Sequence, residues 1–216
     1  MAIISRQLGY LFIHAPRTGG TALAAALLSP RLQGAAIPRK KVPVATASGA
    51  VRTVRQHITG RQLVEADLIT SEELERLFIF TTVRNPFDSL VSAYIKKRDT
   101  VPNKKWATNH PLTTARVLAA AASTFPEFIE SQYGSRRPRH LHGTHIEGAD
   151  FVMRFETLQH DFGVVLAHLG VPDTIEIPQV NRTDRQRGYR SYYTPSSRTV
   201  VETVFAPDLE RFGYEF

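Results

Sequence analysis

The chain has no cysteine in its 216 residues. Disulfides and thiolate metal sites are thereby excluded. No apolar run approaches the roughly twenty residues that a membrane-spanning helix needs. Met1 to Arg6 lack the charged start and long apolar core of a secretory leader. There is no internal repeat. Acid is in short supply, since 20 Asp and Glu stand against 27 Lys and Arg, for a formal net charge of +7. That excess attracts anions. The basic residues are scattered and no nucleic-acid-binding motif accompanies them, so nucleic acid is not the expected partner. The length suits one domain, 1–216, with a sizeable core. These features predict a cytoplasmic protein, bacterial in the simplest reading, with no membrane span.

One further pattern is missing. The nucleotide-hydrolase phosphate loop needs Gly, four residues, then Gly-Lys-Ser/Thr. The segment Tyr10-Leu11-Phe12-Ile13-His14-Ala15-Pro16-Arg17-Thr18-Gly19-Gly20-Thr21 has no glycine at the first of those positions and no lysine after the second. What it has is a short apolar run that reads as a buried strand, a Pro/Gly turn with one cation and two hydroxyls, and a helix start at Ala22. That layout aims backbone N–H groups and a helix N-terminus at a phosphate. Gly19 and Gly20 allow close approach of an anion, Arg17 supplies charge, and Thr18 and Thr21 supply hydroxyls. An ordinary glycine turn before a helix is the competing reading.

A second segment repeats the frame. Leu77 to Val83 is rich in β-formers and ends in Arg84-Asn85-Pro86-Phe87-Asp88, followed by Ser89 to Tyr94. Pro86 suits the first turn of a helix. Arg84 then falls at the C-terminal edge of a strand, where open α/β sheets bind ligands. Ser92 lies about two turns into the helix, so cation and hydroxyl can grip one phosphate from two sides.

The pair FIHAPRTGGT and VRNPFDSLVSAY resembles the two donor-binding motifs of sulfotransferases, more narrowly the branch of the heparan-sulfate 2-O and 6-O sulfotransferases and their bacterial relatives. The stretch Asp150 to Leu158 and the tail from Asn181 to Phe216 are similar to later parts of the family pattern, whereas 30–50 and 98–148 match nothing nameable. The resemblance implies 3′-phosphoadenosine 5′-phosphosulfate as donor. Arg17, Thr18, Gly19, Gly20, Thr21 and Ala22 would hold its 5′-phosphosulfate. Arg84 and Ser92 would hold the 3′-phosphate, and Arg182 or Arg187 would reach it from a closing loop. No metal is required. The implied acceptor is a carbohydrate, or another hydroxylated and possibly anionic molecule.

The element pattern agrees. Strands are expected at Tyr10–His14, Val51–Arg55, Phe78–Val83 and Phe151–Phe155. Helices are expected at Thr21–Leu28, Gly60–Ala66, Ser71–Leu77 with Ser71 as cap, Pro86–Lys97, Pro111–Ser123, Phe125–Gln132, Leu158–Leu169 and Pro195–Val204. Ser29 to Gly49 reads as a long loop. Alternating strands and helices predict an α/β fold, a three-layer parallel sheet with helices on both faces. The resemblance implies the nucleotide-kinase-like, P-loop-type form of it.

Sulfuryl transfer needs a cation near the leaving phosphate and a base for the acceptor hydroxyl. Arg17 is the candidate cation, standing where the family usually has lysine. It keeps the charge but cannot donate a proton near neutrality. His57 is the candidate base, because a histidine at a strand end faces the same rim and titrates near neutrality. A capping or structural histidine is the alternative. His14 reads as a residue that shapes the loop. His140, His142 and His145 have spacing that a divalent ion would accept, but no carboxylate completes a signature. Beside Arg136, Arg137 and Arg139 they read as a basic or solvated loop that could face an anionic acceptor. Lys96, Lys97, Arg98, Lys104 and Lys105 read as a solvated face or a rim of the acceptor cleft, where Trp106 could stack on a sugar. Glu156 reads as functional by position, with a structural role beside Arg154 as the equal alternative. Two other classes compete with the sulfotransferase, a P-loop-type kinase using ATP and magnesium, and a non-catalytic polyanion-binding domain.

Overall fold

The computed structural model describes residues 2–37, 41–43, 51–53, 57–100, 122–172, 174–178 and 188–216. The chain divides into two compact units, Met1–Val83 with His142–Asn181, and Arg84–Leu141 with Arg182–Phe216. The expected helix Pro111–Ser123 and the residues Lys104, Lys105, Trp106, Arg182 and Arg187 lie wholly or largely outside the described residues.

The first unit is built on a five-stranded sheet. Its strands are β1 (Ile3–Ser5), β2 (Tyr10–Ile13), β3 (Ala35–Ala36), β6 (Phe78–Val83) and β7 (Phe151–Arg154), in the order β3-β1-β2-β6-β7. β2, β6 and β7 run parallel, with Phe12 opposite Phe80 and Phe80 opposite Phe151. β1 returns antiparallel on β2, and β3 antiparallel on β1. The sheet is therefore mixed, which corrects the expectation of a wholly parallel one. The expected strand at Val51–Arg55 does not join it. Val51–Thr53 (β5) pairs instead with Lys41–Pro43 (β4) in a separate two-stranded sheet. The place beside β2 on the side away from β6 is taken by β1 of the N-terminal hairpin.

Alternation sorts the strands between two apolar layers. Ile3, Tyr10, Phe12, Phe80 and Met153 face Leu23 and Leu27 of α1 (Gly20–Leu27), and Phe162, Val165 and Leu166 of α7 (Leu158–His168). Ile4, Leu11 and Ile13 turn the other way. They pack with Ile58, with Leu63 of α2 (Gly60–Glu65) and with Leu74 and Leu77 at α3 (Ser71–Arg76). Helices on both faces follow from the period of two in Tyr10 to Ile13. The first unit also holds α6 (Gly143–Ile146).

The second unit is helical, with α4 (Pro86–Ile95), α5 (Phe125–Tyr133), α8 (Pro195–Val204) and α9 (Ala206–Phe212). α4 stops two residues before the expected Lys97 and continues as a π-helical turn at Lys96–Thr100. Phe87, Val91, Phe128, Ile129, Val201 and Phe205 form its core. Tyr193 donates to the Phe87 carbonyl at 3.0 Å, and its ring meets Phe87 and Phe216 edge-on.

Candidate functional site

β2 ends at Ile13, and the chain turns through His14 to Gly19 before α1 begins. Three features shape that turn. Arg17 has φ +67°, a left-handed conformation that costs a side chain about 1 kcal/mol or more. Gly19, the N-cap residue, has φ +80°, and a Cβ there would lie 2.9 Å from Phe155 and 3.0 Å from Leu158. A Cβ on Gly20 would overlap the His14 imidazole. Both glycines are thus required by packing beneath the loop.

Thr18 is fully buried, and its hydroxyl donates to the Ala15 carbonyl at 2.8 Å and meets the Thr82 hydroxyl. The turn is pinned to β6 by that contact. Thr18 therefore has its main-chain N–H, rather than its hydroxyl, to offer an anion. Thr21 is exposed on the first turn of α1, and Ala22 is buried. α1 has no side-chain cap and no acidic residue in its first turn. Its N-terminal N–H groups and dipole are consequently not neutralised by a carboxylate of that turn.

Histidines gather behind this turn. His14 is 4% exposed and stacks on Phe12. Burial, followed by the positive charge of the chain N-terminus and then the neighbouring imidazoles, lowers its pKa to about 3, so it is neutral at physiological pH. That agrees with its reading as a loop-shaping residue. His57 is half-buried, and its Nδ1 lies 2.8 Å from the His14 carbonyl oxygen. A carbonyl only accepts, so Nδ1 carries the hydrogen. In the neutral ring Nε2 is then the basic nitrogen, the arrangement a general base needs. The rings of His14 and His57 meet edge-on with centroids 4.8 Å apart, and His145 stands 6.3 Å from His57 on a similar edge.

His142 and His145 are therefore not part of a solvated loop. His142 is 6% exposed, and burial lowers its pKa to about 3. His140 belongs to the second unit, where its Nδ1 pairs with Asp208 at 2.8 Å. Among the described residues no group of three or more His, Cys, Asp or Glu is arranged to hold a metal ion. Arg136, Arg137 and Arg139 are exposed.

In the second unit, Arg84 is 8% exposed, and its Nε and one terminal nitrogen donate to Asp88 Oδ2 at 2.9 and 2.6 Å. Asp88 stands in the first turn of α4 and is itself buried. Asn85 caps that helix through Phe87 N at 3.0 Å. Ser92 lies on the same helix and is 1% exposed. Arg84 and Ser92 are thus interior groups of this unit, and the cation is shared with a carboxylate.

A sequence model of the sulfotransferase family matches residues 2–215. The chain belongs to that family. Sulfuryl transfer is the chemistry that goes with membership, and the match runs through both units of this sulfotransferase. No curated protein and no solved structure gives a match. Three partners in this sulfotransferase escaped the sequence reading. Asp88 had a local signal, since it follows Arg84 by four residues at a helix start. Thr82 and the His14 carbonyl had none, because Thr18 and His57 reach them across 64 and 43 residues.

Proposed function

We propose that this sulfotransferase moves a sulfuryl group from 3′-phosphoadenosine 5′-phosphosulfate to an acceptor hydroxyl, a carbohydrate hydroxyl by its branch resemblance, and that 1–216 act as one domain. The observation that carries the reading lies at the end of β2. There a glycine turn with Arg17 and an uncapped helix start adjoins a histidine whose Nδ1–H is tied to the His14 carbonyl. The first suits a phosphosulfate, and the second suits a hydroxyl that must lose a proton.

In this mechanism the acceptor proton passes to His57 Nε2 as the acceptor oxygen attacks sulfur. The bond from sulfur to the bridging oxygen breaks, and the electron pair stays on the 5′-phosphate of the departing bisphosphate. Arg17 and the N–H groups of residues 18–22 stabilise the charge that grows there. Arg84 and Ser92 take the 3′-phosphate, and Arg182 and Arg187 are assigned to the same end of the donor.

The test is calorimetric binding of 3′-phosphoadenosine 5′-phosphate beside ATP with magnesium. Arg84→Ala strands the buried Asp88 carboxylate, so the double variant Arg84→Gln with Asp88→Asn is the cleaner probe. Micromolar binding of the bisphosphate that drops at least about tenfold in the double variant, with folding intact, supports the donor assignment. Preference for ATP, or binding of neither nucleotide, overturns it in favour of a kinase or a non-catalytic domain.

A further inference from the structure

We infer that Phe216, together with the Glu215 carbonyl, is the positioning element of Arg84, fixing the start of α4 where Arg84 meets Asp88. The inference rests on the reading of Arg84 as a ligand of the donor's 3′-phosphate. All the residues concerned lie within the second unit. A cation that grips one phosphate needs both its guanidinium and its main chain held in place. Asp88 holds the guanidinium, taking Nε and one terminal nitrogen on Oδ2. Asp88 is itself carried by the first turn of α4, so the pair is only as well placed as that turn.

The turn is fixed through Asn85. Its Oδ1 accepts from Phe87 N at 3.0 Å, which caps α4. Its Nδ2 donates to the Glu215 carbonyl at 2.8 Å, across 130 residues of sequence. One amide thus ties the helix start to a distant segment. Capping alone needs only an oxygen, and serine or aspartate would serve about as well. Asparagine differs from them in capping through one atom and donating from another. Its second bond is the one that reaches Glu215.

Phe216 keeps that carbonyl where Asn85 can use it. Its ring meets Phe87 edge-on with centroids 5.0 Å apart, and meets Tyr193 and Tyr189 likewise at 5.4 and 6.1 Å. Tyr193 closes the cycle, since its hydroxyl donates to the Phe87 carbonyl at 3.0 Å. The Arg198 guanidinium stands 4.4 Å from the Phe216 ring centroid, and an Arg190 terminal nitrogen donates to the main-chain oxygen of Phe216 at 2.9 Å. Ring and main chain of Phe216 are therefore both gripped. Phe87 is fully buried, so a shift of Phe216 is passed to Phe87, and through the cap to Asn85 and Arg84. A general packing role is the alternative. It predicts the same loss for every ligand, whereas a positioning role predicts a loss confined to ligands that carry the 3′-phosphate.

The test compares 3′-phosphoadenosine 5′-phosphate with adenosine 5′-phosphate, which lacks only the 3′-phosphate. Calorimetry measures both on the parent, on Phe216→Leu, on Asn85→Ser and on the double variant Arg84→Gln with Asp88→Asn. Phe216→Leu is measured again in the background of that double variant. Phe216→Leu keeps an apolar side chain and loses the aromatic edges. Asn85→Ser keeps a capping oxygen and has no amide for Glu215. We expect each to weaken the bisphosphate by about three- to thirtyfold, the range of coupling between residues in contact, and to leave the monophosphate within about twofold. In the double variant Phe216→Leu should cost nothing further, because the cation that it positions is gone. Asn85→Ser decides the matter if Phe216→Leu does not fold.

Equal losses on the two nucleotides, no loss on either, or the same loss in the double variant as in the parent overturns the positioning role and leaves the reading of Arg84 standing. A parent that binds the two nucleotides equally overturns the reading of Arg84 and this inference with it.

Discussion

Arg17 combines two properties that oppose each other. Its positive φ is strained for any residue with a Cβ, and its guanidinium is the cation of the turn. Arg17→Gly removes both at once. Relief of the strain and the added chain entropy of glycine nearly offset each other, so the melting temperature should stay within a few degrees. Bisphosphate affinity should fall by tenfold or more, measured by calorimetry. A drop in melting temperature with unchanged affinity would assign Arg17 to the fold instead. Gly20 makes the complementary case. Gly20→Ala drives a methyl into His14, which is packed on Phe12 and bears His57 on its carbonyl. Stability should fall by about 1–3 kcal/mol in denaturant unfolding, with weaker bisphosphate binding. The need for both glycines was legible in the sequence as a wish for close approach to an anion. The structure adds that the space is denied from beneath, by Phe155, Leu158 and His14, residues whose proximity no local pattern reveals.

Helix starts show how far local rules carry. The sequence names Ser71 as the cap of α3, because serine before two glutamates fits the pattern. The side chain that accepts from Glu73 N, at 3.1 Å, is that of Thr70. Both residues satisfy the preference, and only the backbone angles decide, with Thr70 extended at ψ 166°. Thr70→Ala should cost about 1 kcal/mol in urea unfolding, whereas Ser71→Ala should change little. A reversal of that order would move the cap back to Ser71. At this scale the apolar runs of β2 and β6 were legible because β2 is buried throughout and β6 over its last four residues, whereas β7 buries only Met153. β1 was not, since three residues give no period, and its place is set by pairing with β2. α9 was missed because Pro207 reads as a stop, although proline is equally at home in the first turn of a new helix. β5 was found in part but assigned to the wrong sheet, because pairing partners are a long-range choice.

For the molecule as a whole, buried histidines set a pH response that composition does not suggest. Burial lowers His14 and His142 from 6.5 to about 3 and lowers His145 in the same direction. In the unfolded chain all three bind protons near pH 6.5, and in the folded chain they resist doing so. Stability rises with pH wherever the unfolded state holds more protons. It is therefore complete above about 6.5 and declines as pH falls toward 3, by roughly a few kcal/mol for each fully buried ring. Carboxylates alone would place most of the acid loss below about pH 5. The expected signature is a fall in unfolding midpoint that begins between pH 6.5 and 5, followed in denaturant melts at constant ionic strength. His142→Phe should flatten that part of the curve, because it removes one of the two nearly fully buried rings. A parent and a variant with parallel curves from pH 7 to pH 4 would show that His142 is protonated equally in both states, and hence that its ring reaches water in the folded protein.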